Sequence, residues 1–184
     1  NYLLERGINV NIAMHHCKEV SYLVNDKYYF AIGYKNDING YELRNKYFKG
    51  CTSKAPTTNG VGNDVCKVFE GFVDYLSYLT LKNTFHLQES SVVLNSVSNL
   101  EKAQSFIKSH NTIMTYLDND EAGQRAISFL KSFGKNLIDK SSHYQNHKDL
   151  NDYLVNKNNL KNKLTDDIDE GIKSELSNSY RRKR

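Results

Sequence analysis

Three carboxylates in this chain stand where an apolar run stops, and a fourth lies one helical turn further on. Val65, Val68 and Phe69 lead into Glu70-Gly71, with Asp74 four residues after the glutamate. Ile113, Met114, Tyr116 and Leu117 lead into Asp118-Asn119-Asp120. Each run reads as a strand and is followed by helical periodicity, which places Glu70, Asp118 and Asp120 at strand ends. In an open parallel sheet, ligands bind in the crevice outside the carboxyl ends of the strands, so these acids can converge although far apart in sequence. A cluster of carboxylate oxygens is a hard donor set suited to Mg2+.

Each residue also has a plainer reading. Gly71 allows close approach of a ligand beside Glu70; a lone glutamate there is otherwise a solvated acid. On extended backbone Asp118 and Asp120 point the same way and can share an ion, while Asp120 is equally placed to cap the next helix. Arg44, Lys46, Lys49 and Lys54 are interleaved with Tyr41, Tyr47 and Phe48. Cations contact phosphates and rings stack on bases; a solvated hairpin face is the alternative.

The elements that must position these groups follow from periodicity. A strand at 65–70 leads to a helix at 72–82, a strand at 91–95 to a helix at 99–109, and a strand at 112–118 to a helix at 121–133, with a further strand at 136–140. This alternation predicts an α/β fold, a mainly parallel sheet flanked by helices. Ser98 with Glu101 has capping-box spacing, and Gly134 stands where a C′ glycine belongs. Upstream, residues 2–6 read as a helix stopped by Gly7 and 9–16 as a second. Aromatic, β-rich runs from Val20 to Phe48, split at Asn25-Asp26 and Asn39-Gly40, then predict a small antiparallel sheet. Residues 53–63 hold the only proline and read as a linker. The expected division is an N-terminal α+β lobe at 1–62, an α/β domain at 63–155, and a basic helical tail at 156–184 that frays towards its end.

The net charge of +4 is distributed unevenly. Lys plus Arg minus Asp plus Glu gives 8 minus 5 for residues 1–62, 9 minus 11 for 63–155, and 8 minus 5 for 156–184. An acidic centre between basic flanks fits a metal site within a polyanion-binding surface. Cys17, Cys51 and Cys66 form neither a disulfide framework nor a zinc pair, and His15-His16-Cys17 lacks a second ligand pair at zinc spacing. No apolar run approaches the ~18 residues of a membrane span, so a cytoplasmic protein is expected. The chain starts at Asn1 as though within a helix, which reads as a fragment with upstream sequence missing.

A strand ending in Glu70-Gly71-x-x-Asp74, followed by one ending in Asp118-x-Asp120, resembles the Toprim domain, with the likeness covering about residues 63–155. Primases, type IA and II topoisomerases and some nucleases share that domain. The resemblance implies that Glu70 is a metal ligand or general acid/base and that Asp118 and Asp120 bind Mg2+, for which Mn2+ can substitute. Asp74 then either joins the metal set or holds the loop. KDLNDYL, residues 148–154, resembles a segment that follows the Toprim core in mobile-element primases. It makes Asp149 and Asp152 candidates for further contacts to metal or its ligands, a plain helix start being the alternative.

YLLERG, then a β lobe with GYELRN, then the Toprim motifs together resemble the RNA-polymerase domain of bacterial-type primases, and most of all primase-like proteins of plasmids and conjugative elements. On that likeness Arg44 matches an arginine of a Gly-rich strand, and Lys49 or Lys54 a lysine that meets nucleotide or template. The implied partners are single-stranded DNA, nucleoside triphosphates, a helicase and an upstream zinc-binding domain. The expected activity is Mg2+-dependent primer synthesis. A Toprim nuclease is the rival that the β lobe opposes, and a noncatalytic nucleic-acid-binding module is the rival that the intact carboxylates oppose.

Overall fold

In the computed structural model, which describes residues 2–162, two short helices open the chain because Gly7 and Asn9 punctuate its first apolar stretch. Gly7 ends α1 (Tyr2–Glu5) at a φ of +66°, a backbone region that glycine enters at little cost. Asn9 caps α2 (Val10–Met14) by accepting from the Asn11 and Ile12 N–H groups. β1 (Cys17–Val24), β2 (Lys27–Lys35), β3 (Tyr41–Arg44) and β4 (Lys49–Cys51) then form an antiparallel sheet in sequential order. Asn25 and Asp26, both at positive φ, make the two-residue turn between β1 and β2. The Asn39-Gly40 reversal is closed by Asn36, whose Oδ1 accepts from the Ile38 and Gly40 N–H groups.

The segment read as a linker contains a strand. β5 (Thr57–Asn59) pairs antiparallel with β7 (Ser90–Val93) at the edge of the second sheet. Its paired threonines suit an edge strand, and Pro56 stands just before it, where no ladder N–H is needed. The remaining strands, β6 (Val65–Phe69), β8 (Thr112–Tyr116) and β9 (Asn136–Asp139), complete the order β5-β7-β6-β8-β9, in which all but β5 run parallel. From β6 the chain moves to β7 on one side and then to β8 on the other. The switch point therefore lies between β6 and β8, the two strands that end in the acids.

Helices cover both faces, as the alternating pattern predicts. α3 (Phe72–Lys82) buries Phe72, Tyr75, Leu76 and Leu79, the i, i+3, i+4, i+7 stripe, with Phe69, Tyr144, Leu150 and Leu154 on one face of the sheet. α4 (Leu100–Lys108) and α5 (Glu121–Lys131) enclose the other core with Val68, Val92, Leu94 and Ile113. Residues 150–162 are helical, here α6. Tyr34 of β2 stacks on Phe72 at 5.2 Å and 8°, so the antiparallel sheet is part of the first core.

The expected capping box at Ser98 is not formed. Ser96 accepts from the Ser98 N–H and opens a 3-10 turn, Val97–Asn99, which delays α4 to Leu100. Asn99, at the N-cap position of α4, makes no side-chain cap hydrogen bond, and its Nδ2 donates to the Leu94 carbonyl. Gly134 does follow α5 at a φ of +65°. The tail read from residue 156 lies outside the described residues beyond position 162.

α5 approaches the end of β8 so closely that a Cβ on Gly123 would run into the Asp118 backbone carbonyl oxygen. Helix and strand end are both backbone there, so neither yields by a side-chain rotation. Gly123→Ala is expected to destabilise the fold by about 1–3 kcal/mol. Thermal unfolding checks this, at about 2–4 °C per kcal/mol for a chain of this size.

Candidate metal centre and basic cavity

Glu70 and Asp118 meet because β6 and β8 are neighbours in register. Phe69 opposes Tyr116, the Glu70 N–H donates to the Tyr116 carbonyl at 3.4 Å, and the Asp118 N–H donates to Glu70 Oε2 at 3.2 Å. Gly71 then starts α3, whose first turn carries Asp74 into the same crevice. Oxygen atoms of Asp74, Asp118 and Asp149 all lie within 4.8 Å of one another. This trio is the cluster among the described residues with the geometry to hold a metal ion.

Asp149 reaches the crevice through an asparagine clamp. The Asn119 N–H donates to the Lys148 carbonyl at 2.8 Å, and its side chain donates to the Tyr144 and His147 carbonyls. Asn151, 1% exposed, does similar work one step on. Its N–H donates to Asp74 Oδ1, and its side chain donates to the Arg6 carbonyl and the Ser77 hydroxyl. Arg6 returns a hydrogen bond to Asn151 Oδ1. Helices α1, α3 and α6 are thus tied together directly behind the acids.

The acids are poorly solvated and repel one another. Burial pushes Asp118 up to about 7, helped by the charges of Glu70, Asp149 and Asp120. Asp74 is raised well above the carboxylate range by burial first and then by Asp149 and Asp118. Burial also raises Glu70, with Asp120 adding to it and the Asp118 N–H opposing. An all-oxygen donor set of mutually repelling carboxylates fits a hard divalent cation.

Cations face these acids across a cavity of about 270 Å3 whose walls include Arg6, Arg44, Lys49 and Lys148 beside Glu70 and Asp118. Burial lowers the Arg44 pKa, and its Nη1 is enclosed without a hydrogen-bond partner. A second cavity of about 480 Å3, carrying Lys46, adjoins the first through shared residues Arg6, Lys148 and Asp149.

Of the residues read from sequence, Glu70, Asp74, Asp118, Asp149, Arg44 and Lys49 come together in one cavity. Asp120 does not line it: its side chain accepts from the Gly123 N–H at 2.9 Å and caps α5, although its charge still bears on Glu70 and Asp118. Asp152 lies in the adjoining cavity, accepting from the Lys148 N–H and pairing with His147. Lys46 reaches Glu5 at 3.7 Å, and Lys54 is exposed away from both cavities. His15 and His16 pack their rings against Phe85, His86 and Tyr75, burial pushes the Cys17 thiol up to about 12, and the three residues form no metal-binding group among the described residues. Arg6, Lys148 and Asn151 were not legible as site residues. The signals they carried were their places in the segments YLLERG and KDLNDYL.

Two family models match the sequence. Residues 67–154 match a family described as Toprim-like, and residues 1–53 match a family described as a domain of unknown function (DUF8464). No curated protein matches. Among solved structures, the primase fragment of the bacteriophage T7 primase-helicase protein is 18% identical with a TM-score of 0.60, covering 85% of this chain and 70% of that one. A chain from the complex of T7 lagging-strand DNA polymerase with primase domains bound to an RNA/DNA hybrid and dTTP is 18% identical, with a TM-score of 0.52 over 72% of this chain and 74% of that one. The Aquifex aeolicus primase, with its zinc-binding and RNA polymerase domains, is 14% identical, with a TM-score of 0.52 over 75% of this chain and 48% of that one. At these identities the likeness is one of fold. No helix among the described residues is long and apolar enough to cross a membrane.

The raised acids make the metal-free fold pH-dependent. Asp118 titrates near 7 when folded against 3.8 when free, so the folded state holds its proton more tightly. The stability this contributes is complete below about pH 4 and is lost as pH rises through 7. In chelator, Asp118→Asn is therefore expected to raise the melting temperature at pH 8 by a few degrees and to flatten its fall between pH 5 and 8. Mn2+ should stabilise the unsubstituted chain more at pH 8 than at pH 5, since ligands must be deprotonated, and should leave Asp118→Asn unmoved.

Proposed function

This chain is a Toprim-domain protein with a primase-like fold, and from that premise we propose that it is the catalytic core of a DNA primase that joins ribonucleotides on a single-stranded template. The observation that carries the reading is the single cavity in which Glu70, Asp74, Asp118 and Asp149 face Arg44, Lys49, Lys148 and Arg6 at the switch point of the sheet. One wall fits metal ions, and the other fits phosphate.

Asp74, Asp118 and Asp149 would hold a divalent ion, Mg2+ with Mn2+ as a substitute, with Glu70 beside them and the charge of Asp120 acting from the cap of α5. When bound, such an ion neutralises triphosphate charge and favours the ionised 3′ hydroxyl. In the reaction the 3′ oxygen forms a bond to the α-phosphorus of the incoming nucleotide as the bond to pyrophosphate breaks. Arg44 and Lys49 are placed to orient the triphosphate, and Lys148 and Arg6 to neutralise charge as pyrophosphate leaves. Glu70 is the proton acceptor of suitable chemistry, because its burial raises its affinity for the hydroxyl proton. The setting in a mobile element rests on the likeness of residues 148–154, and an upstream zinc-binding domain and a helicase complete the proposed assembly.

Incubating the chain with a single-stranded DNA template, ribonucleoside triphosphates and Mg2+ or Mn2+ is expected to yield short RNA. Asp118→Asn should lower that synthesis by about a hundredfold or more, because several kcal/mol of charge stabilisation are lost, while template binding persists. Degradation of the template without synthesis would point to a nuclease. Synthesis unchanged in both Asp118→Asn and Glu70→Gln would remove the catalytic assignment.

A further inference from the structure

At the open end of the antiparallel sheet the aromatic residues divide by face. Glu19, Ile32, Arg44 and Lys49 oppose one another across the strands; in the next row Ser21 opposes Phe30, and in the last Leu23 opposes Tyr28. Opposed residues, and residues two apart along a strand, share a face. Arg44 and Lys49 line the carboxylate cavity, so the rows of Phe30 and Tyr28 continue its wall outward, past the point where Tyr34 packs on α3. Phe30 is 58% exposed and Tyr28 74%.

The other face of the same strands is different. There Tyr22 stacks between Tyr29 and Phe48, with ring centroids 5.8 and 5.1 Å away. Phe30 and Tyr28 have no ring partner among the described residues. Asn45 fixes a basic turn beside them: its Nδ2 donates to the Phe30 carbonyl, and its Oδ1 accepts from the Tyr47 and Phe48 N–H groups. That turn presents Lys46 and Tyr47, the latter 89% exposed.

Charge and spacing select the occupant. Residues 17–54 carry seven basic and four acidic side chains, a net +3. Cations beside unstacked rings complement a strand with an anionic backbone and apolar base faces. Alternate residues on a strand stand ~6.8 Å apart, twice the ~3.4 Å step of stacked bases, which leaves the thickness of one base between the two rings. We propose that Phe30 and Tyr28 form a stacking platform for the unpaired bases of a single-stranded polynucleotide running out of the carboxylate cavity, with Lys46 and Lys49 on its phosphates. This rests on the polymerase reading of the cavity and assigns the path of its template.

The test is fluorescence anisotropy of a labelled oligothymidylate, alongside Mn2+ binding. The double substitution Tyr28→Ala/Phe30→Ala is expected to weaken oligonucleotide binding about tenfold or more with Mn2+ affinity unchanged, and Phe30→Tyr to preserve binding. Crosslinking of a bromodeoxyuridine-containing oligonucleotide to the unsubstituted chain, mapped to Tyr28 or Phe30, detects the same contact without altering the fold. Unchanged affinity in the double variant, or crosslinks confined elsewhere, overturns the inference; if the chain still binds Mn2+ and makes primers, the cavity reading survives. A change of oligomeric state in the double variant at constant DNA affinity would reassign the face to a second copy of the chain. A chain that binds no single strand at all overturns both.

Discussion

Crowding of carboxyl groups in a half-buried crevice is the constraint that the surrounding structure serves. Acids removed from water and brought within a few ångströms of one another each resist dehydration and repel their neighbours. Glu70, Asp74 and Asp118 show this in their raised proton affinities. Their positions must therefore be imposed by a framework whose packing and hydrogen bonds contribute more stability than the cluster costs. The parallel ladder of β6 and β8 holds two of them at adjacent strand ends, and the first turn of α3 holds the third. Asn119 and Asn151 hold the loop and helix that bring Asp149. A cation in the crevice would reverse the sign of the problem, since the same charges that oppose folding alone would then favour the bound state.

The opposite charges come from a different part of the chain. Arg44 and Lys49 belong to the antiparallel sheet, which reaches the crevice because Tyr34 and Ile32 pack into the core around α3. Arg6 enters from the first helix and is hydrogen-bonded to Asn151, while Lys148 precedes Asp149 on the clamped loop. The cavity is thus composite, with acids from the α/β unit meeting cations largely from the first fifty residues. Arg44 is held partly dehydrated with one nitrogen unpartnered, a costly state that a phosphate oxygen would relieve.

Asp118-Asn119-Asp120 illustrates how three adjacent residues divide labour. Asp118 faces the crevice, Asn119 binds three carbonyls of the segment that brings Asp149, and Asp120 caps α5. Gly123 makes this compactness feasible, because a side chain there would collide with the Asp118 backbone. Asp120 still contributes charge to the crevice and stands at a helix N-terminus, where the dipole favours negative groups.

Much of the fold was legible because period and punctuation are local. The strand and helix alternation from Val65 to Asp139, the Asn25-Asp26 turn and the Gly7 and Gly134 caps all follow from residues within a few positions of one another. Strand-end placement of Glu70 and Asp118 was equally readable, since it required only that an apolar run stop at an acid. The capping residue before α4 was not readable in this way, because a 3-10 turn, invisible in periodicity, shifts the helix start. β5 was hidden among turn formers because an edge strand of three residues carries almost no pattern of its own. By itself, then, the sequence determined the longer elements, their faces and the acids at their ends. Only the tertiary structure decided that Asp149 joins Asp74 and Asp118 while Asp120 turns to its helix, that Asn151 and Arg6 brace them, and that Phe30 and Tyr28 extend the wall beside Arg44. Those outcomes depend on sheet order, register and packing between segments far apart in the chain, and such long-range terms leave no mark on local spacing.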